Sequence, residues 1–250
     1  MMKKVFLSFF SVIGAVCLMT GCSGGGSASS VSDDGMFGSL PQVTAEYKDK
    51  AMQVIQELSK LTDASKKDEF VAKVKAMEEE ANKAFDAELA KLKGKEFATE
   101  VGKGVPYKVV KPFAIDEQGK KEFGVVYLVG VVETTVGLIG YDNRDGFRSH
   151  SVAVAAADGD GKPLTLLSTH LSYSDFEASA PFKAAGTKAF ARLKFEAEPW
   201  NLDALGKAEK ICLILDESED YKQLREADKN AKKAFEEKMT EMLKKDETKK

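Results

Sequence analysis

The sequence predicts an α+β protein in which helices flank an antiparallel β-sandwich. Apolar residues recur at three- and four-residue spacing over 41–94 and again over 218–250, the period of a helix with one buried face. Between these stretches, over 95–217, the period falls to two and turn residues punctuate the apolar runs. Residues 1–40 show neither pattern: an apolar run leads to Cys22, and a Gly/Ser-rich stretch follows it.

Lys3 and Lys4 precede the apolar run 5–19, which ends in small residues and a cysteine. That is the layout of a cleaved export signal, over 1–21, and the run is too short to span a bilayer comfortably. Its last residues, Thr20, Gly21 and Cys22, resemble the signal of bacterial lipoproteins, whose cleavage box ends in a small residue, then Gly or Ala, then Cys. The family's usual Leu three places before the Cys is Met19 here, with Leu18 one place earlier. The resemblance implies cleavage before Cys22, lipid on its thiol and amine, and a membrane as partner in the bacterial cell envelope, expected to be the outer membrane. Acyl chains contribute about 0.8 kcal/mol per buried CH₂, so two or three anchor stably. The alternatives are an ordinary secretory signal with a chance cysteine, or an uncleaved apolar helix.

Removing 1–21 leaves 35 basic against 40 acidic residues, a net charge of −5 with both signs mixed. A nucleic-acid partner calls for a basic face and is not expected. Cys17 leaves with the signal and Cys22 takes the lipid, so Cys212 alone remains and no intrachain disulfide forms. The fold therefore rests on its core. Cys212 lies within the run 211–215, read as a strand buried on both faces, where a thiol is inert.

Residues 22–40 read as a tether, with a root-mean-square span of roughly 20 to 25 Å for a Gly/Ser chain. Asp33 and Asp34 are similar to the acidic residues that surface lipoproteins of the Bacteroides group carry after the lipid-bearing cysteine. Over 41–94, Tyr47, Ala51, Val54, Ile55, Leu58 and Leu61 form one helical stripe, with Thr44 as an N-cap. Phe70, Val74, Met77, Ala81, Phe85, Leu89 and Leu92 form a second, stopped by Gly94. The cap-type residues Thr62, Asp63, Ala64 and Ser65 between them fit either the turn of a helical hairpin or a kink in one long helix.

Strands are expected at 97–101, 107–115, 123–136, 148–157, 164–168, 188–198 and 210–216. The stretch 123–136 is apolar on both faces and is the candidate central strand, whereas 188–198 alternates, with one face toward water. Asp158, Gly159, Asp160 and Gly161 mark a tight hairpin. At the C-terminus Ser218 caps a helix whose stripe is Tyr221, Leu224, Ala231, Phe235, Met239 and Met242, and this helix is expected to pack on the N-terminal helices.

Val129, Gly130 and Val131, then Val152, Val154 and the 158–162 turn, then Gly186, Thr187 and Phe190, resemble the immunoglobulin-like modules of FxLYD type found in bacterial envelope lipoproteins. The likeness covers 123–215; the chain departs from it in long connections at 137–146 and 171–185 and lacks the Phe-x-Leu-Tyr-Asp string itself. The resemblance implies an immunoglobulin-like sandwich and no common enzyme activity.

Chemistry-bearing patterns are sparse. His150 and His170 have no neighbour at metal-ligand spacing, and Ser168, Thr169 and His170, adjacent along a strand, point to opposite faces. The acidic loops around Asp142, Asn143, Asp145 and Gly146 and around Asp158 and Asp160 read as turns, not Ca²⁺ sites. No metal and no cofactor is expected. Tyr141, Asn143, Arg144, Asp145 and Phe147 combine aromatics and Arg in one long loop, the composition of a contact surface for a protein or glycan. Tyr173, Phe176, Pro181 and Phe182 form a second candidate, and Trp200 reads as a core or loop anchor. The functional expectation is a non-catalytic binding or assembly module. A helix-mediated oligomer or spacer is the alternative, and a hydrolase using Asp142, Asp145 or Asp175 is a third.

Overall fold

The computed structural model describes residues 35–60, 67–119, 122–135, 152–175 and 185–247. The two N-terminal stripes form α1, Leu40–Lys60, and α2, Lys67–Lys91. Seven strands follow: β1 Glu96–Phe97, β2 Thr99–Val101, β3 Tyr107–Ile115, β4 Val125–Thr134, β5 Val152–Ala157, β6 Pro163–Ser168 and β7 Ser172–Asp175. Then come β8 Lys188–Glu196, the short helix α3 Leu202–Gly206, β9 Lys210–Leu215 and the long helix α4 Glu219–Glu247. No described helix is long and apolar enough to cross a membrane.

The strands make two sheets, of order β1-β3-β4-β8-β7 and β2-β9-β5-β6. β4 is the middle strand of the first, as its apolarity on both faces predicts. Val126, Leu128 and Val132 from the first sheet and Val152, Val154, Ala156, Ile211 and Leu213 from the second belong to one core. The second sheet is not antiparallel throughout, because β2 pairs with β9 in parallel, Thr99 opposite Ile211 and Val101 opposite Leu213. The expected strand at 97–101 splits at Ala98: its first half joins one sheet and its second half the other.

The edge of the first sheet is short and guarded. β1 reaches only Phe113 and Ala114 of β3. Along the rest of β3, Lys108 and Lys111 are exposed, Val110 is a bulge 44% exposed, and Pro106 and Pro112 bracket the stretch. Lysines, bulges and prolines are the features that stop an edge from pairing with another chain.

The helices enter the same core. Tyr47 of α1, Ala81 and Phe85 of α2 and Leu92 just past its end join it, and Phe123 meets the rings of Tyr47 and Phe85 at 6.1 and 5.3 Å. α1 and α2 touch in reverse order along their lengths. Tyr47 donates a hydrogen bond to Glu80, and Lys73 pairs with Glu57. Val54 packs with Phe70 and Val74 in a separate small cluster. Residues 61–66, on which the choice between turn and kink falls, lie outside the described residues. Thr44 is not an N-cap: the helix starts at Leu40, and the buried Thr44 hydroxyl donates instead to Leu40 O at 2.8 Å.

The helix starts early because the expected tether ends early. Met36, Phe37 and Leu40 are buried, and the Phe37 ring, 1% exposed, lies 5.5 Å from that of Phe97 and 5.2 Å from that of Phe195. Met36 N donates to Ala208 O at 2.5 Å. A side chain at Gly35 would meet Gly206 O at 2.3 Å, so the backbone passes where only glycine fits. The tether thus cannot extend to residue 40, since three apolar residues within it, Met36, Phe37 and Leu40, complete the core.

The C-terminal helix also departs in part from expectation. Ser218 caps α4, its Oγ accepting from Tyr221 N at 3.2 Å, as the sequence indicates. The buried Tyr221 and Leu224 at its start pack on Ala153, Ala155, Ala157, Cys212 and Ile214, the outer face of the second sheet, and farther along Lys238 comes within electrostatic reach of Asp49 of α1. That face is apolar and needs a cover, and α4 starts beside it. Farther along, the helix reaches Trp200, whose ring is 5.8 Å from Phe235.

Replacing Tyr221 and Leu224 together by Asp exposes that face and is expected to lower the thermal midpoint by several degrees in a circular-dichroism melt. Phe37→Ala is expected to cost about 3 to 5 kcal/mol, the range for a buried Phe, in urea unfolding of the chain beginning at Gly35; a cost under 1 kcal/mol would place Phe37 outside the core.

Candidate functional site

The most concentrated polar chemistry in the described residues lies where α1 meets the segment after β8. Positions 44, 47, 48 and 51 share one helical face, so Lys48 sits in a slot of the inward stripe between Thr44 and Ala51. Its Nζ donates to Glu198 Oε2 at 2.5 Å, and both side chains are 9% exposed. Asn201 fixes the carboxylate's backbone: its Oδ1 accepts from Glu198 N at 2.8 Å, and its Nδ2 donates to Glu196 O at 3.0 Å. Ala197 N donates to Gly124 O at 2.7 Å, tying the same segment to the start of β4.

Burial pushes the Lys48 ammonium down and the Glu198 carboxyl up, each toward its neutral form, and their mutual attraction opposes both shifts. Glu196 adds to the rise at Glu198, while Lys232 of α4 counters it. Lys232 Nζ also lies 5.6 Å from the Trp200 ring, so the pair, Trp200 and α4 form one junction. Closed on itself and nearly shut off from solvent, the pair acts as a lock between helix and sheet. Sequence reading took the 188–198 strand's charged face as solvated and missed the lock. The available signal was a lysine inside an apolar helical stripe.

At 158–162 the turn reading holds. Asp158 Oδ1 accepts from Asp160 N at 3.1 Å and Lys162 N at 2.9 Å, a side chain closing its own turn. Ser168 Oγ donates to His170 O at 2.6 Å, away from the exposed imidazole, whose Nδ1 lies 3.3 Å from Thr169 Oγ1. Among the described residues, no group of three or more His, Cys, Asp or Glu is placed to hold a metal ion. Cys212 is buried, and burial pushes its thiol up, away from the reactive thiolate.

Cys22, His150 and the contact candidates Tyr141, Asn143, Arg144, Asp145 and Phe147 lie outside the described residues, as do Asp142, Phe176, Pro181 and Phe182. The ends to which the two long connections attach are described. Strand directions give the sheets two ends. At one end lie Gly35, Leu92, Val125, the 158–162 turn, Glu198 and α3. At the other lie the 102–106 turn, Thr134, Val152, Lys188 and Leu215, with Tyr107 opposite Thr134, Glu133 opposite Lys188, and Val152 opposite Leu215. Connection 136–151 leaves Thr135 and returns at Val152, and connection 176–184 leaves Asp175, which faces Ala189, and returns at Ala185. All four attachment points are at this second end.

Comparison with family models, curated proteins and solved structures finds no match to the chain.

The Lys48 to Glu198 lock has a double-mutant signature. Lys48→Met alone leaves a buried carboxylate without its cation and is expected to cost about 3 to 5 kcal/mol, whereas Lys48→Met with Glu198→Leu is expected to come within about 1 kcal/mol of the parent. Equal costs for the single and double variants in urea unfolding would show that the pair carries no such coupling.

Proposed function

We propose that the chain is a lipid-anchored protein of the bacterial cell envelope, held at the outer membrane through Cys22, whose folded part is a non-catalytic binding or assembly module. The observation that carries this reading is the sequence Thr20, Gly21, Cys22 at the end of a basic-then-apolar leader. Met36 and Phe37 support it: the folded part begins almost at once after the Gly/Ser stretch, so 23–34 is left as the spacer between lipid and domain. Two sheets sharing one core support the immunoglobulin-like sandwich reading, with the parallel β2 to β9 pairing as a departure from its antiparallel form. The partner is a protein or glycan, contacted through Tyr141, Asn143, Arg144, Asp145 and Phe147. Attachment of that connection at the end away from Gly35 favours a contact clear of the membrane.

A second reading is helix-mediated self-association or a spacer role for the α1 and α2 pair, which carries a small buried cluster of its own, Val54, Phe70, Val74 and Met77, apart from the main core. Sedimentation separates the two: a concentration-dependent dimer supports self-association.

Mass spectrometry of the chain from bacterial membranes is expected to find a mature N-terminus at Cys22 bearing acyl chains, and Cys22→Ser is expected to move the protein from the membrane to the soluble fraction. An unmodified cysteine, or a Cys22→Ser variant that stays membrane-bound, would overturn the anchor.

A further inference from the structure

The chain leaves its anchor and enters the fold at a fixed point. Twelve residues separate Cys22 from Gly35, and from Gly35 onward the chain is held in the fold. Met36 is bonded to Ala208, Phe37 is clamped between Phe97 and Phe195, and α1 starts at Leu40. The pivot of an anchored molecule is therefore the surface beside Gly206 and Ala208. A Gly/Ser-rich chain of this length spans roughly 20 Å root-mean-square, less than the length of the ten-residue β4, about 33 Å.

We infer that the anchored protein has a polarity: the end carrying Gly35, α3 and the 158–162 turn faces the lipid surface, and the end carrying the 102–106 turn, Thr135 and Lys188 faces away. This inference rests on the proposed lipidation of Cys22. It follows from where the pivot lies. Had the chain entered at Val152 or Lys188, the opposite end would face the lipid. It also assigns the helical elements: α1, α2 and α3 all attach at the lipid-facing end. α4 starts beside Leu215 at the outer end and runs back along the second sheet to Trp200. Its 29 residues extend about 43 Å, farther than the strands it covers.

The test uses the full-length lipidated protein with Cys212→Ala and one added cysteine. Lys162→Cys reports the lipid-facing end and Lys103→Cys the outer end; both positions are exposed. Each variant carries a donor fluorophore and is reconstituted into phosphatidylethanolamine and phosphatidylglycerol vesicles holding a headgroup-linked acceptor. Energy transfer is expected to be at least about twofold more efficient from position 162 than from 103, given a separation on the scale of the strand length. Equal or reversed efficiencies in vesicle-bound protein would overturn the polarity while leaving the anchor intact. Vesicle binding by a Cys22→Ser control, or none by the lipidated parent, would instead overturn the anchor, and the polarity with it.

Discussion

The architecture depends on the clamping of Phe37 between Phe97 and Phe195. Phe97 closes the two-residue β1 and Phe195 nears the end of β8, so one ring from outside the sheets touches both an edge strand and an interior strand. Its burial draws in Met36 and starts α1 at Leu40. α1 then carries Tyr47 into the core and Lys48 onto Glu198. The helices are thus not a separate unit joined to the sheets; they close one end of a common core.

Two different devices hold the helical elements. At the closed end, a buried ion pair fixes the position of α1, and Asn201 holds the carboxylate in place by bonding the backbone at Glu198 N and Glu196 O. Such a pair contributes geometric definition more than stability, because desolvating two charges offsets most of their attraction. On the flank of the second sheet the bond is purely apolar: small residues of β5 leave a shallow face that Tyr221 and Leu224 fill. The same cover explains why the Cys212 thiol is buried and why β9 is apolar from Ile211 to Leu215.

Much of this was legible in the sequence. β3 occupies the residues expected for it, β4 is central as its two apolar faces require, and Gly94 ends α2 in the positive-φ conformation at 75°. The misses share a physical cause. Phe37, Thr44 and Lys48 are each set by tertiary contact, to which local pattern is blind. A Gly/Ser-rich context hid an aromatic anchor, a cap-type residue became an internal hydroxyl, and a lysine in an apolar stripe was passed over. β7, with its Ser172, Tyr173, Ser174 and Asp175, has the composition of a loop and becomes a strand by pairing with β8. The parallel pairing of β2 with β9 joins residues over a hundred positions apart, beyond any local signal. For the contact loop proposed at 141–147, composition offers only the residue types, while the end of the fold to which the connection attaches comes from strand register.

The central claim is that the chain just beyond the tether is part of the core. Native-state hydrogen exchange at the amides of Met36 and Leu40, which bond to Ala208 O and Phe37 O, tests it directly. Both are expected to exchange only through global unfolding, with the same free energy and denaturant dependence as the amides of Leu128 and Val132 in β4. Exchange of Met36 and Leu40 through a low-energy local opening, with the sheet still protected, would show that the segment is a detachable strap and would contradict the account.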